Sequence, residues 1–428
     1  KNKFDDFYHQ GVFARPEDLG MAAEYVSPSF LVSKSSGGHR LVTAFTEIGQ
    51  YAKPQPSLMP KVEDVLQQIA QWRWIIKADL KQAYFQIPLA PKSMKYVGVC
   101  TPYRGIFVYT RAVMGLPGSE SALEQLLCKI LGDLMLKGDV VKLADDLYLG
   151  ADSPSMLLDI WESTLSLLEA NGLKLSPEKT VCCPTSTQIL GWDWEQGKLS
   201  ATPHRINVLS QCTLPRTVKE LRSFIGSYKF LSPVLPKHSD LLCSLDKICS
   251  NSKESSAPIA WTTELELVFN KAKEHLKDAE TLTLPRKEDR LQITTDAAVT
   301  TLGLAATMYV IRDKPYLAGV FNARKTENQA GWLVCEIEAL AIAAAVKHFA
   351  PYIAQSHHTT EVFTDSRPCV QAYNKLHRGA FSASPRVTTF LSTISRHHVK
   401  LSHIPGKDNT ASDYMSRNPL PCDGECQV

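Results

Sequence analysis

Apolar and polar positions along the chain follow strand and helix rhythms in turn, and the pattern restarts near residue 290. Trp74-Ile75-Ile76-Lys77-Ala78-Asp79-Leu80 is a short apolar run ending in an acid, which predicts a strand. Val140-Val141 and Leu147-Tyr148-Leu149 flank Asp145-Asp146, which predicts a hairpin with both carboxylates at its tip. Side chains alternate faces along a strand, so a bend at the tip is needed to turn both toward one point. Thr217-Val218-Lys219-Glu220 has the form of a capping box. Val218, Leu221, Phe224, Ile225 and Tyr228 follow at helical spacing, so a helix is expected over 217–230, with another over 263–277. Leu284 to Arg290 is charged and proline-punctuated, and reads as a linker. Beyond it come three strands, Leu291–Asp296, Gly303–Met308 and Tyr316–Phe321. A helical run from about Trp332 to Phe349, strands Glu361–Asp365 and Val399–Ile404, and a short helix bearing Asp413 complete the series.

A chain of 428 residues should divide into two to four domains. A hydrophobic content of 44% with 21% charged residues is globular, not disordered. No apolar run approaches the roughly 18–20 residues that span a bilayer, so no membrane association is expected. The chain opens in polar sequence without Met or a signal peptide, which suggests a piece cut from a longer precursor. Eleven cysteines scattered through a large chain point to reduced thiols in an intracellular protein. Cys422 and Cys426 have the spacing of half a zinc site, with no partner pair nearby. The net charge of +3 is unevenly spread. Residues 201–237 hold Arg205, Arg216, Lys219, Arg222, Lys229 and Lys237 against Glu220 alone, a local +5 that leaves −2 for the rest. A basic helical segment of this kind either grips phosphates or is a solvated face.

Adjacent carboxylates repel unless a cation lies between them, and Mg²⁺ suits carboxylate oxygens together with substrate phosphates. The plainer reading of Asp145-Asp146 is a solvated turn. Asp79 at the end of an earlier strand supplies a third acid. Three aspartates are a minimal cage for two metals about 4 Å apart, which can activate an attacking oxygen and stabilise a leaving group in an in-line displacement.

A strand ending in Asp79, then Tyr84-Phe85, then the Asp145-Asp146 hairpin resembles the palm of reverse transcriptases. Pro28 to Lys34 with His39-Arg40-Leu41-Val42 resembles their fingers. Arg111 to Pro117 resembles the substrate-proximal loop, and Gly172 to Lys179 with Ile189-Leu190-Gly191-Trp192 the approach to the primer grip. The chain is similar to the polymerase of gypsy-type LTR retrotransposons over nearly its whole length. The resemblance implies an α+β multidomain protein, a right-hand polymerase of fingers, palm and thumb followed by a ribonuclease H-like α/β domain. The implied boundaries are fingers and palm 1–199, thumb 200–287, ribonuclease H domain 288–418 and a tail 419–428.

The later strand and helix order, β-β-β-α-β-α-α-β-α with four acids, resembles the ribonuclease H fold, and Asp296, Glu338, Asp365 and Asp413 match its metal-binding acids. The phrase His403-Ile404-Pro405-Gly406-Lys407-Asp408-Asn409 is gypsy-like. Glu336 competes with Glu338, but two residues apart on a helix point about 200° apart. The family places its acid directly before Ala339-Leu340-Ala341, which selects Glu338 and leaves Glu336 as a solvated acid near the helix N-terminus. His403 is read as structural or peripheral.

By the same resemblance, Asp79, Asp145 and Asp146 hold two Mg²⁺ ions, with Mn²⁺ as a substitute, and the nuclease acids hold two more. Lys34 and Arg40 contact the triphosphate, although Lys34 read alone is an exposed hairpin lysine. Tyr84 is the steric gate against a ribose 2′-hydroxyl, with Phe85 as core packing. Met114 and Gly115 lie against the nucleotide, and Lys179 lies near the pyrophosphate or is a plain surface lysine. Leu190, Gly191 and Trp192 hold the primer end, and Lys219 and Arg222 the duplex phosphates. Implied partners are an RNA template, a DNA primer, RNA/DNA hybrid and dNTPs. A homodimer and a precursor shared with protease and integrase are also implied, within cytoplasmic virus-like particles. Three departures stand out: Leu143-Ala144 before the Asp pair, Met114 where relatives carry Gln or Phe, and Thr43-Ala44-Phe45-Thr46 in place of a more polar fingers strand. The alternatives are a domesticated remnant that only binds nucleic acid, and an active polymerase with a silent nuclease.

Overall fold

The computed structural model describes residues 2–33, 37–53, 55–57, 59–101, 103–236, 238–252, 254–297, 303–329, 331–406 and 409. Lys34, Lys237, Asp413, Cys422 and Cys426 lie outside the described residues. The chain divides into two compact units, Lys1–Pro184 and Thr185–Val428.

The strands of the first unit are β1 (Phe13–Ala14), β2 (Val26–Ser33), β3 (His39–Thr43), β4 (Trp74–Asp79), β5 (Gly98–Thr101), β6 (Gly105–Tyr109), β7 (Val140–Leu143), β8 (Asp146–Ala151) and β9 (Val181–Cys182). Its helices are α1 (Asn2–His9), α2 (Thr46–Tyr51), α3 (Val62–Ala70), α4 (Pro91–Met94), α5 (Ser119–Lys137) and α6 (Pro154–Ala170). One sheet runs β1-β6-β5-β2-β3 and the other β7-β8-β4-β9. The second sheet rests on α5 and α6. Alternate residues of its strands, Ile76, Ala78, Val140, Leu147 and Leu149, meet Leu123, Leu127 and Leu131 of α5 and Leu157, Ile160 and Leu168 of α6. Each such leucine withdrawn from water contributes about 1.5–3 kcal/mol, so this layer anchors the β7–β8 hairpin. In the first sheet the hydroxyls of Ser29 and Thr43, and of Thr43 and Tyr109, lie 2.7 Å apart. Thr43, one of the departures in the fingers strand, thus joins a buried polar network, and burial pushes the Tyr109 hydroxyl up to about 12.

The second unit begins with β10 (Ser186–Ile189), β11 (Trp192–Glu195) and β12 (Lys198–Ala201), joined by β13 (Leu282–Thr283). Between β12 and β13 lie α7 (Pro203–Ser210), α8 (Val218–Phe230), α9 (His238–Asn251) and α10 (Thr263–His275). α8 starts where the capping pattern places it: the Glu220 N–H donates to Thr217 Oγ1 at 3.3 Å. The reciprocal arm differs from the expected box, because Glu220 Oε2 accepts the N–H of Arg216 at 2.7 Å. All five residues of the expected apolar face of α8 are buried. α7 and α9 were not legible, since serines, cysteines and single charges dilute their apolar spacing. The expected linker is shorter than its composition suggested: Leu284 is buried beside β13, and its N–H donates to Gly197 O at 2.8 Å.

The unit ends in a five-stranded sheet of β14 (Arg290–Ala297), β15 (Gly303–Ile311), β16 (Pro315–Arg324), β17 (Thr360–Thr364) and β18 (Val399–His403), ordered β16-β15-β14-β17-β18. β14, β15 and β16 pair antiparallel, whereas β17 and β18 add in parallel. α11 (Val334–His348), α12 (Ala350–Gln355), α13 (Arg367–His377) and α14 (Pro385–Ile394) complete it, and α11 packs its alanine-rich face on the sheet. The short α12 was not expected as a separate helix. The mixed α+β multidomain architecture read from the sequence is the one observed. Nine described cysteines are free. Among the described residues no helix is long and apolar enough to cross a membrane.

Candidate active sites in the two units

In the first unit, β4 and β8 pair antiparallel with Asp79 directly opposite Asp146. Directly paired residues share a face, so register alone brings two carboxylates together. Leu143 pairs with Asp146 across a two-residue turn of Ala144 and Asp145. Ala144 turns at φ +53°, a left-handed conformation that side chains with a Cβ resist. The turn is held where the Leu80 N–H donates to Asp145 O at 3.0 Å. Burial holds the Asp146 carboxyl above its usual range; Lys77 opposes this, and the Asp145 and Asp79 charges add to it.

Lys179 Nζ lies 2.9 and 3.0 Å from the two Asp79 oxygens. Its side chain is 61% exposed, so it reaches in from solvent to an acid that is buried. The contact raises the ammonium above its usual range. Lys179 is therefore neither idle on the surface nor free, and the ammonium offsets part of the crowded negative charge.

Tyr84, Met114 and Gly115 line one cavity of about 470 Å³, with Gln55, Ser119 and Glu120. Arg40 Nη1 donates to Met114 Sδ at 3.6 Å, so four of the expected nucleotide contacts converge. Gly115 sits at φ +85° with open space over its Cα, which suits the close approach of a ligand. Burial first, then the Glu120 and Asp145 charges, raises the Tyr84 hydroxyl, which puts the ring beside the acids. Phe85 faces the other way and meets Phe7 edge-on at 5.1 Å, as expected of a packing residue.

In the second unit, Leu190 at φ +52° and Gly191 at φ +82° form a two-residue turn between β10 and β11. Positive φ at both positions is the geometry that matches strand twist in tight hairpins. A Cβ on Gly191 would lie 2.8 Å from Arg205 Nη2. Trp192 is only 3% exposed and stacks on Phe230 at 5.0 Å, with the Arg205 guanidinium 3.8 Å from that ring's centre. Trp192 thus packs inward and anchors the hairpin, while Leu190 and Gly191 are half-buried at its turn. Arg222 is exposed on α8. Its guanidinium donates to Cys249 O at 2.8 Å, Ser252 O at 2.9 Å and Ser255 Oγ at 3.1 Å, so it ties α8 to the C-terminal end of α9. Lys229 pairs with Asp246 at 2.8 Å. Lys219 stays exposed on α8.

The ligand oxygens of Asp296, Glu338 and Asp365 all lie within 4.8 Å of one another. Asp296 comes from β14, Glu338 from the second turn of α11, and Asp365 directly follows β17. Glu338 is buried, and its Oε2 has no hydrogen-bond partner among the described residues. Burial, then the Asp296 and Asp365 charges, pushes its carboxyl up to about 9. Three acids with an unsatisfied buried oxygen form a donor set that a divalent cation fits. Lys325, after β16 and 3% exposed, opposes the shift at Glu338, while burial lowers its own ammonium. Sequence reasoning missed it, because a lysine after a strand carries no distinctive signal. Asn409 is 2% exposed and its Nδ2 donates to Thr295 O at 2.9 Å, beside Asp296. A Cβ on Gly406 would lie 3.2 Å from Asp365 Oδ2, so this turn presses against the acid. His403 ends β18 opposite Thr364, next in the chain to Asp365.

The reading of Glu336 as solvated is overturned. It is 6% exposed and accepts bonds from Ser384 Oγ at 2.7 Å, Arg386 Nη1 at 3.2 Å and the Leu333 N–H at 3.2 Å. The Ser384 hydroxyl above all holds its carboxyl below the usual range. Glu336 braces α14 against the start of α11, facing away from Glu338 as helical geometry requires.

Comparison with known proteins follows the same division. The family described as reverse transcriptase (RNA-dependent DNA polymerase) matches residues 39–194. The RNase H-like domain found in reverse transcriptase matches residues 261–360. The Transposon Tf2-3 and Tf2-7 polyproteins of Schizosaccharomyces pombe are 23% identical over 403 residues, 93% of this chain and 30% of theirs. The chain therefore spans about a third of the length of the curated relatives it matches. Among solved structures, a foamy viral protease-reverse transcriptase in complex with dsDNA is similar at TM-score 0.76 and 20% identity, over 94% of this chain and 81% of that one. The foamy viral protein in complex with RNA/DNA hybrid is similar at TM-score 0.72 and 18% identity, over 99% of this chain and 55% of that one.

Proposed function

We propose that the chain is a reverse transcriptase with a ribonuclease H-like domain that copies RNA and DNA templates into DNA and cleaves the RNA strand of RNA/DNA hybrids, in the replication of an LTR retroelement; the two family matches and the transposon polyprotein relatives support this reading. The observation that carries this reading is Asp79 set opposite Asp146, with Asp145 in the adjoining turn and near the cavity of Tyr84, Met114 and Gly115. Asp79, Asp145 and Asp146 would hold two Mg²⁺ ions, as would Asp296, Glu338, Asp365 and Asp413, with Mn²⁺ as a substitute. Such ions supply hydroxyl or water activation and neutralise charge on phosphate oxygens.

The chain's own residues do the rest. Arg40 and Lys34 bind the triphosphate, Arg40 through the forked geometry that suits phosphate. Met114 and Gly115 bound the base and sugar, and the Tyr84 ring excludes a 2′-hydroxyl. The exposed stem of Lys179 lets its ammonium leave Asp79 and turn to the pyrophosphate. Leu190 and Gly191 hold the primer end, and Lys219 contacts duplex phosphates without reading sequence. Fingers and palm extend to about 199, the thumb to 287 and the nuclease to 418. The curated relatives are transposon polyproteins, which supports a longer precursor; that this precursor also carries protease and integrase and works in cytoplasmic particles is part of the proposal.

Magnesium-dependent primer extension on an RNA template, run beside matched Asp145→Asn protein, tests the reading. The variant should lose DNA synthesis while keeping its fold and hybrid cleavage, because the two acid sets lie in different units. Equal synthesis by both proteins refutes the assignment, and absence of synthesis by the parent favours the nucleic-acid-binding remnant.

A further inference from the structure

Glu124 on α5 and Lys142 on β7 form an ion pair in which each side chain is 1% exposed. Lys142 Nζ donates to Glu124 Oε2, while Glu124 Oε1 is buried without a partner among the described residues. Burying two opposite charges commonly returns less than an apolar pair of the same volume would. Such a pair therefore calls for a reason other than stability.

Its location supplies one. Lys142 precedes Leu143 and the Ala144–Asp145 turn, so it fixes the strand entering the hairpin. α5 begins at Ser119, and the loop feeding it, Met114 to Gly118, lines the nucleotide cavity. α5 packs both on β7 and on the 3-10 turn Ala83–Gln86, which carries Tyr84. The surrounding contacts, Leu123, Leu127 and Leu147, are leucine on leucine. Contacts of that kind are non-directional and admit small slides, whereas a charged hydrogen bond between fixed partners admits one register. The positive φ of Ala144 strains the hairpin tip, and the Leu80–Asp145 hydrogen bond holds it from one side only, so the strand entering the tip is where a further fixed contact matters.

We infer that the Glu124–Lys142 pair is a positioning device that locks the Asp145–Asp146 hairpin in register with the nucleotide cavity and its Tyr84 gate. The inference rests on the polymerase reading above. Three proteins test it against the parent: the apolar pair Glu124→Leu with Lys142→Met, the swapped pair Glu124→Lys with Lys142→Glu, and Glu124→Gln alone. The apolar pair should melt no lower than the parent, yet raise the KM for dNTPs about tenfold, equivalent to ~1.4 kcal/mol. Its preference for deoxy- over ribonucleotides should fall as well. The swapped pair should return both values to within about threefold of the parent, since the directional contact is restored. An apolar pair with unchanged KM and unchanged sugar preference overturns the inference, because the ions would then be core filling. If the apolar pair does not fold, the comparison of Glu124→Gln with the swapped pair decides, and equal KM values overturn it. If the parent extends no primer, the polymerase reading fails by itself. Amide exchange over residues 140–151 then reads the register without catalysis: faster exchange in the apolar pair supports the inference, and unchanged exchange overturns it.

Discussion

Glu338→Gln should strengthen the metal-free nuclease sheet as it destroys hybrid cleavage, and the gain should grow with pH. In the folded chain burial and two neighbouring carboxylates push the Glu338 carboxyl from its ordinary value of 4.5 to about 9. A carboxyl with a raised folded pKa contributes fully to stability below its unfolded value, and that contribution is lost as pH rises toward the folded value. At pH 7 the unfolded chain has ionised Glu338 and the folded chain has not. The difference from 4.5 to 7 corresponds to about 3 kcal/mol at ~1.4 kcal/mol per pH unit. Glutamine does not titrate, so the variant escapes this cost. Chemical denaturation with chelator at pH 5, 7 and 8.5 checks it, with amide exchange over α11 reporting the nuclease sheet separately. The stability difference between variant and parent should be small at pH 5 and reach about 3 kcal/mol by neutrality. A difference that stays flat from pH 5 to 8.5 refutes the reasoning, and so does cation binding to the parent at pH 7 without proton release. Cleavage itself should vanish, because a metal-ligand charge is lost that no neighbour replaces.

Tyr84→Val should raise ribonucleotide relative to deoxyribonucleotide incorporation by at least tenfold if the ring excludes a 2′-hydroxyl; an unchanged ratio of efficiencies would make Tyr84 a packing residue. Gly191→Ala should lower stability by about 1–2 kcal/mol, from its left-handed backbone and from Arg205 displaced off the Phe230 ring. Calorimetry checks this, and a melting temperature equal to the parent's would mean that the turn relaxes without cost.

The features legible in the sequence are those in which local pattern and chemistry coincide. Strands ending in acids, the capping residue before α8 and the acid preceding Ala339-Leu340-Ala341 each carry their signal within a few residues. α8 buries the five residues its spacing named. The missed features are set by partners far along the chain. Glu336 becomes a brace only because Ser384 and Arg386 fold back onto it. Arg222 is drawn onto the end of α9 by carbonyls some thirty residues on. Trp192 disappears under Phe230. Composition cannot tell a lysine that neutralises an acid from one that is solvated, and Lys142, Lys179 and Lys325 all proved to be of the first kind.

These lysines point to a shared electrostatic problem with different solutions. Each unit gathers carboxylates closely enough that their mutual repulsion must be offset before a cation arrives. The first unit offsets it at Asp79 with Lys179, an ammonium on an exposed stem that can swing away without disturbing the sheet. The second offsets it with a buried lysine and a carboxyl that burial and repulsion favour in its protonated form. Cation binding should therefore displace a side chain in the first site and a proton in the second. The Asp296–Glu338–Asp365 site then gains affinity as pH rises through neutrality, whereas the Asp79–Asp145–Asp146 site responds more weakly, since Lys179 keeps its charge whether or not it contacts Asp79.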